Sequence, residues 1–274
     1  MDIDDILASV DRHNPSTPES TALDHQLLTR FWVAERGVSE LLPWPGPLMD
    51  RMMDRVRRQI ETIEDLAATS ADPTTTTTNN ASTTNTTINL TLSILQTDLS
   101  RTQYTLRSLL RQRLAKLTKH SMHYLLRISS PSLTQAQSQS QSQSQETDLR
   151  PEDSIPTLGH EGAHPPLSAP EVKFLQAHQH LLAKHYGDAF LGSFPPQLRR
   201  LDDNAGGTSM VQGPEVREVV FVRCLVEEVR VVVPPGDGVE EEVVGGTAMR
   251  MGDVWAVRWE GVRDAWGRGE VEVL

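Results

Sequence analysis

Apolar residues recur at three- and four-residue steps along the first two thirds of the chain, and gather into short Val-rich runs after Pro214. The first pattern predicts helices and the second strands. The first helix is expected to begin near Thr21, with Asp24 placed for a capping-box-like contact. Leu23, Leu27, Phe31 and Ala34, flanked by Leu28 and Trp32, give it an apolar face. Gly37 and the cluster Pro43-Trp44-Pro45-Gly46-Pro47 end it, because proline has a fixed φ and no N–H. Those prolines can also open the next helix.

The second helix is expected over Leu48 to Ala68, with a stripe of Leu48, Met52, Val56, Ile60, Ile63 and Leu66. The third is expected over Ile88 to Ser129. Its stripe is Leu92, Leu95, Leu99, Leu106, Leu110, Leu114, Leu117, Ser121 and Tyr124, with Thr102 or Gln103 as a polar break. A helix of that length reaches about 60 Å and needs other helices or a partner chain to cover its stripe. The fourth starts at the capping box Ser168-Ala-Pro-Glu171, with Phe174, Leu175, His178, Leu181, Leu182 and His185 as its apolar-leaning face.

Between these lie stretches with little to bury. Thr69 to Thr87 is rich in Thr and Asn, and is expected to be a disordered insertion in a helix–helix loop. Residues 130–166, with the Gln-Ser repeat Gln135 to Gln145, read as linker. Residues 1–20 read as a flexible arm. The domains expected are therefore a helical one over 21–200, a linker over 201–213 and a small β domain over 214–274. In the last, Glu218 to Leu225, Val229 to Val233, Val243-Val244, Met249 to Met251, Val254 to Trp259 and Val271 to Leu274 read as strands, Gly252-Asp253 as a turn, and Gly261 to Trp266 as one helical turn. The fold class is α+β, a helical bundle followed by a β-rich domain.

Charge narrows the function. The net charge of −11 argues against a protein that coats nucleic acid, which needs a cationic surface. The distribution is uneven. Asp98 to Arg127 carries Arg101, Arg107, Arg111, Arg113, Lys116, Lys119 and Arg127 against the single acid Asp98, whereas Glu215 to Leu274 carries thirteen acids and seven arginines. Opposite charge on different segments suits assembly. The one cysteine, Cys224, allows no disulfide within the chain and fits a reducing compartment. It reads as a small buried hydrophobe. No secretory leader or membrane span is expected, so the sequons at Asn80, Asn85 and Asn89 read as products of composition.

Catalytic patterns are missing. There is no phosphate loop, since Gly206-Gly207 and Gly245-Gly246 lack the lysine and the strand-to-helix setting. His120 with His123, and His178 with His185, could each share a helix face, but no third ligand is placed with them. Neither metal nor cofactor is expected. Asp202-Asp203 reads as a solvated acid pair. The five tryptophans, Trp32, Trp44, Trp255, Trp259 and Trp266, read as core or interface anchors.

These segments resemble, in order, the GINS family of replication proteins, and within it the Sld-five type of subunit. Leu27-Leu-Thr-Arg-Phe-Trp-Val-Ala-Glu-Arg-Gly37 and Glu40-Leu-Leu-Pro-Trp44 are similar to the family's first helix and its turn. Gln59-Ile-Glu-Thr-Ile63 fits the second helix, Gln96 to Lys119 the long third helix, and Leu198-Arg-Arg-Leu-Asp202 the exit from the fourth. Gly252-Asp-Val-Trp-Ala-Val-Arg-Trp259, Val262-Arg-Asp264 and Gly269 to Leu274 resemble its terminal β domain. The order helices-then-strands separates this type and one sister from the two other GINS subunits. The two insertions depart from the family pattern and fall in loops.

The resemblance implies a nuclear, non-catalytic subunit of a heterotetramer with three other GINS subunits. It also implies association with the MCM helicase ring and its accessory factor. Arg107, Arg111, Arg113, Trp255 and Trp259 are the residues expected at subunit interfaces. Asp2-Ile-Asp-Asp-Ile-Leu-Ala8 resembles the peptide by which this subunit docks a trimeric replisome hub, with Ile3, Ile6 and Leu7 as helical anchors beside Asp4 and Asp5. The competing reading is a nucleic-acid-binding adaptor that uses the basic third helix. A steep salt dependence of DNA binding by the chain alone would mark it.

Overall fold

The computed structural model describes residues 18–71, 81–129, 151, 155–156, 166–195, 198–199, 211–232 and 246–274. Six helices lie among them: α1 (Pro18–Gly37), α2 (Gly46–Ala71), α3 (Ala81–Lys119), α4 (Ser121–Ile128), α5 (Ala169–Ala189) and α6 (Trp259–Gly267). A single 3-10 turn, Leu191–Ser193, follows α5. The strands are β1 (Val219–Cys224), β2 (Glu228–Val231), β3 (Thr247–Arg250), β4 (Val254–Arg258) and β5 (Val271–Val273). The α+β architecture is a helical region followed by small sheets. The chain divides into two compact units. One comprises Met1–Arg36, Pro45–Arg111 and Glu272–Leu274, and the other Gly37–Trp44 and Gln112–Val271.

In the first unit α2 buries Leu48, Met52 and Val56, the start of its expected stripe, and Met49 beside them. Each such side chain contributes about 1.5–3 kcal/mol by leaving water. On α1 the expected face is turned by one residue. Leu28 and Ala34 are buried, but Leu23 is 55% exposed, and it is Asp24 that points inward at 2%. Asp24 does not cap α1, which begins earlier, at Pro18. Its carboxylate instead meets Arg51 Nη2 at 2.9 Å and Arg55 Nη2 at 2.8 Å, clamping α1 to α2. That hydrogen bond raises the Arg51 pKa above its ordinary value. Trp32 Nε1 donates to Ser108 Oγ at 3.0 Å, and Gln59 Nε2 donates to Leu95 O at 3.0 Å and Asp98 Oδ2 at 3.1 Å, which ties α1 and α2 to α3.

The ends of the Thr/Asn tract are helical, because α2 continues to Ala71 and α3 starts at Ala81. Threonine tolerates this by back-bonding. Thr69 Oγ1 donates to Asp65 O at 2.8 Å and Thr91 Oγ1 to Thr87 O at 2.9 Å. Residues 72–80, the middle of the tract, lie outside the described residues, as do the Gln-Ser repeat and Val243-Val244. The long third helix is also not continuous to Ser129. At His120 the backbone leaves helical geometry (φ −117°, ψ 32°), and α4 begins one residue later.

The second unit has a core of Leu41, Leu117, Tyr124, Leu125, Ile155, Leu167, Val172, Leu175 and Ala183. α5 starts at the expected capping box. Glu171 Oε2 accepts from the Ser168 N–H at 2.8 Å and the Ser168 hydroxyl at 3.0 Å. Its buried face is Glu171, Val172, Leu175, Gln179 and Ala183. Of the expected row, Phe174 and Leu181 are instead exposed. Gln179 Nε2 donates to Ser121 Oγ, joining α5 to α4.

The terminal region holds a three-stranded sheet of order β4-β1-β5 and an antiparallel pair β2-β3. β1 pairs antiparallel with β4, with Val220 opposite Val257 and Val222 opposite Trp255. Alternation along β1 sends Val220, Val222 and Cys224 inward. Cys224 is buried, as its apolar setting predicts. Gly252, at φ 86°, makes the turn into β4 and donates its N–H to Cys224 O at 2.9 Å. That φ disfavours any residue with a Cβ. The helical turn expected over Gly261 to Trp266 is longer, running Trp259–Gly267 as α6.

Candidate partner-binding surfaces

The described residues singled out from sequence differ in exposure. Arg107 and Arg111 are exposed on α3. Leu90, Ile94, Arg101, Tyr104, Arg107 and Arg111 recur there at spacings that hold them to one side of the helix. Tyr104 is 67% exposed and Ile94 59%. Arg107 Nη2 donates to Gln103 Oε1 at 3.2 Å within the same helix. The opposite side of α3 is occupied, since Leu92, Thr102, Leu106 and Leu109 are buried. The flank thus sets apolar and basic side chains side by side in solvent.

Arg113 and Trp259 are not on a surface. Arg113 is 0% exposed and Trp259 1%, so both act inside the chain. Arg113 forks onto Glu171, with Nε to Oε1 at 2.7 Å and Nη2 to Oε2 at 3.1 Å. Its Nη1 donates to Leu42 O at 2.8 Å and Nη2 to Pro166 O at 3.4 Å. The guanidinium lies 5.1 Å from the Trp44 ring centre, within cation–π range. A planar fork of five donors is what lets one side chain serve so many acceptors. Trp255 is half-buried on β4. Ile3, Asp4, Asp5, Ile6 and Leu7 lie outside the described residues.

The centre that joins these internal contacts is Glu40, which sequence reasoning did not single out. Its buried carboxylate accepts Trp259 Nε1 at Oε2 (3.0 Å) and meets Arg127 Nη1 and Arg263 Nη2 at Oε1 (3.1 and 2.9 Å). Lys116 Nζ donates to the Glu40 carbonyl at 2.9 Å, and the Leu41 N–H donates to Tyr124 Oη at 2.9 Å. The strap Gly37–Trp44 is thus bonded to α3, α4 and α6. The available signal was an acid set directly before two leucines after a helix-ending glycine. An acid there is buried with its neighbours and must find cations.

His123 stands beside this centre. Burial, then the charges of Arg127 and His120, lower its pKa, against a smaller opposing pull from Glu40. A Cβ on Gly213 would stand 3.0 Å from the His123 ring, and His120 Nδ1 lies 3.1 Å from Gln212 O. The two histidines therefore seat the chain entering the β region. Among the described residues no three His, Cys, Asp or Glu side chains gather as a metal site. Nor is any described helix long and apolar enough to cross a membrane.

Comparison with known proteins agrees with this arrangement. Residues 60–190 match the family model described as the GINS complex protein helical bundle domain. Residues 214–274 match the one described as the DNA replication complex GINS protein SLD5 C-terminus. The chain is 36% identical to the DNA replication complex GINS protein SLD5 of Chaetomium globosum over 226 residues, covering 82% of this chain and 80% of that one. It is 31% identical to the Yarrowia lipolytica protein of the same name, over 87% of this chain and 75% of that one. Against the Schizosaccharomyces pombe protein the identity is 28%, over 75% and 72%. Helical bundle, terminal β region and relatives agree: the chain belongs to the SLD5 family of GINS DNA replication proteins.

Proposed function

We propose that the chain is a non-catalytic subunit of a nuclear GINS heterotetramer, acting in initiation and elongation of DNA replication with the MCM helicase ring and its accessory factor. The observation that carries this is the exposed flank of α3 from Leu90 to Arg111, roughly 30 Å long at the rise of an α-helix. Its apolar side chains find cover in a neighbouring helix, and its arginines find acids there. Residues 21–200 form the helical domain and 214–274 the β domain, with 201–213 between them. The short acidic-apolar segment Asp2 to Ala8 docks the trimeric replisome hub through Ile3, Ile6 and Leu7, with Asp4 and Asp5 alongside.

Co-expression with three sister subunits tests the assembly. The expected result is co-elution as a stoichiometric tetramer. A stable monomer in their presence would sink the proposal.

A second reading has one observation in its favour, the exposure of Arg101, Arg107 and Arg111 beside Tyr104. Arginine beside an aromatic ring can hold single-stranded nucleic acid. That reading requires the chain alone to bind DNA with a steep salt slope. The net charge of −11 weighs against it, and DNA contact is taken as indirect or weak.

A further inference from the structure

Beside the Glu40 centre the second unit holds a cavity of about 520 Å³, with walls that include Leu42, Pro43, Pro166 and Trp266. The size is that of a small-ligand or side-chain pocket. Its charged lining falls into two sets. In the first, Arg127 and Arg263 share a single oxygen of one carboxylate, Glu40 Oε1. Two guanidinium groups therefore face one negative charge, and Glu40 Oε2 is already engaged by Trp259. Arg127 and Arg263 are 41% and 44% exposed at the side chain, so their remaining donors can reach an incoming group. In the second, Arg268 is neutralised by Glu270, with Nε at 2.7 Å and Nη2 at 2.8 Å. Asp264 also lines the cavity.

We infer that this cavity is a docking pocket for a short segment of a partner protein that carries one carboxylate next to an apolar side chain. The carboxylate completes the charge of Arg127 and Arg263. The apolar side chain fills the wall of Leu42, Pro43, Pro166 and Trp266. A nucleic-acid strand fits less well, because its successive phosphates would meet Asp264 and the shielded Glu40 while leaving the apolar wall uncovered. The inference stands apart from the assembly proposed above, since the pocket's residues belong to the second unit and the exposed flank of α3 to the first.

The test is fluorescence anisotropy on the full-length chain. The probes are a labelled Glu-Leu-Leu-Glu-Leu peptide, its Gln-Leu-Leu-Gln-Leu counterpart and a labelled single-stranded oligothymidine. The acidic peptide is expected to bind, and the amide peptide to bind roughly tenfold more weakly, the size of a lost charge-assisted hydrogen bond. Arg263→Gln should reproduce that loss for the acidic peptide, and Trp266→Ala should weaken both peptides. Circular dichroism checks that each variant is folded. Any variant that fails the check is replaced by Arg127→Gln, which probes the same charge. Equal binding of the two peptides would overturn the proposal. So would binding indifferent to Arg263→Gln and Arg127→Gln, no binding up to about 1 mM, or oligothymidine bound more tightly through the same arginines.

Discussion

Glu40 shows how one side chain can be both a liability and a support. A buried carboxylate without partners costs several kcal/mol, and this one survives because Trp259 and Arg127 donate to it and Arg263 pairs with it. Glu40→Gln keeps an acceptor for Trp259 but leaves the two arginines facing each other. Urea denaturation should show a loss of about 3 kcal/mol, toward the low end for a broken buried pair because both arginines are partly solvated. His123 supplies a pH signature. Folding lowers its pKa below the ordinary 6.5, so the unfolded chain binds the proton more tightly. Stability from this residue is therefore complete above about pH 6.5 and declines as the pH falls below it. Melting temperatures measured between about pH 7 and about pH 5 should fall less steeply in His123→Gln than in the parent chain.

At the scale of elements, the residue periods predict the helices and their order, but not which of two adjoining rows turns inward. On α1 the row of Leu23 and Leu27 and the row of Asp24 and Leu28 lie one residue apart. Arg51 and Arg55, from the next helix, decide between them by claiming Asp24. On α3 the buried row is Thr102, Leu106, Leu109, Arg113 and Leu117, with an arginine in the place of a core residue. A single sequence reads that arginine as a solvated charge. Its acceptors, Glu171, Leu42 O and Pro166 O, come from segments more than fifty residues away and cannot be seen from its neighbours. The capping box at Ser168 and the turn at Gly252 were legible because the signal and its effect lie within four residues. The row assignment on α3 can be measured directly. Leu109→Ala, at a position with 0% exposure, should cost about 3 kcal/mol in denaturant unfolding. Leu110→Ala, 40% exposed, should cost under about 1 kcal/mol.

For the whole molecule, family membership and the order of helices and strands follow from matches spread along most of the chain. What the partners touch depends on surfaces that a lone sequence cannot sort into inside and outside. Arg107 and Arg111 stayed outside, whereas Arg113 and Trp259 turned out to hold the chain to itself. Truncating Met1 to Val10 separates the two external contacts proposed. Gel filtration should show the assembly with three sister subunits intact, while pull-down of the replisome hub is lost. Hub capture that survives the truncation would place that contact elsewhere.

The strap Gly37–Trp44 also sets a timetable for synthesis. Glu40 leaves the ribosome early, but its partner Trp259 follows 219 residues later. At about 5–20 residues per second, the carboxylate waits on the order of ten to forty seconds before its tryptophan donor emerges. Until then α1, α2 and the first part of α3 can pack on one another, while the second unit cannot close its polar centre. A nascent chain of this protein therefore spends most of its translation half-built, and a message truncated before Trp259 yields a product with Glu40 short of its tryptophan donor and of Arg263.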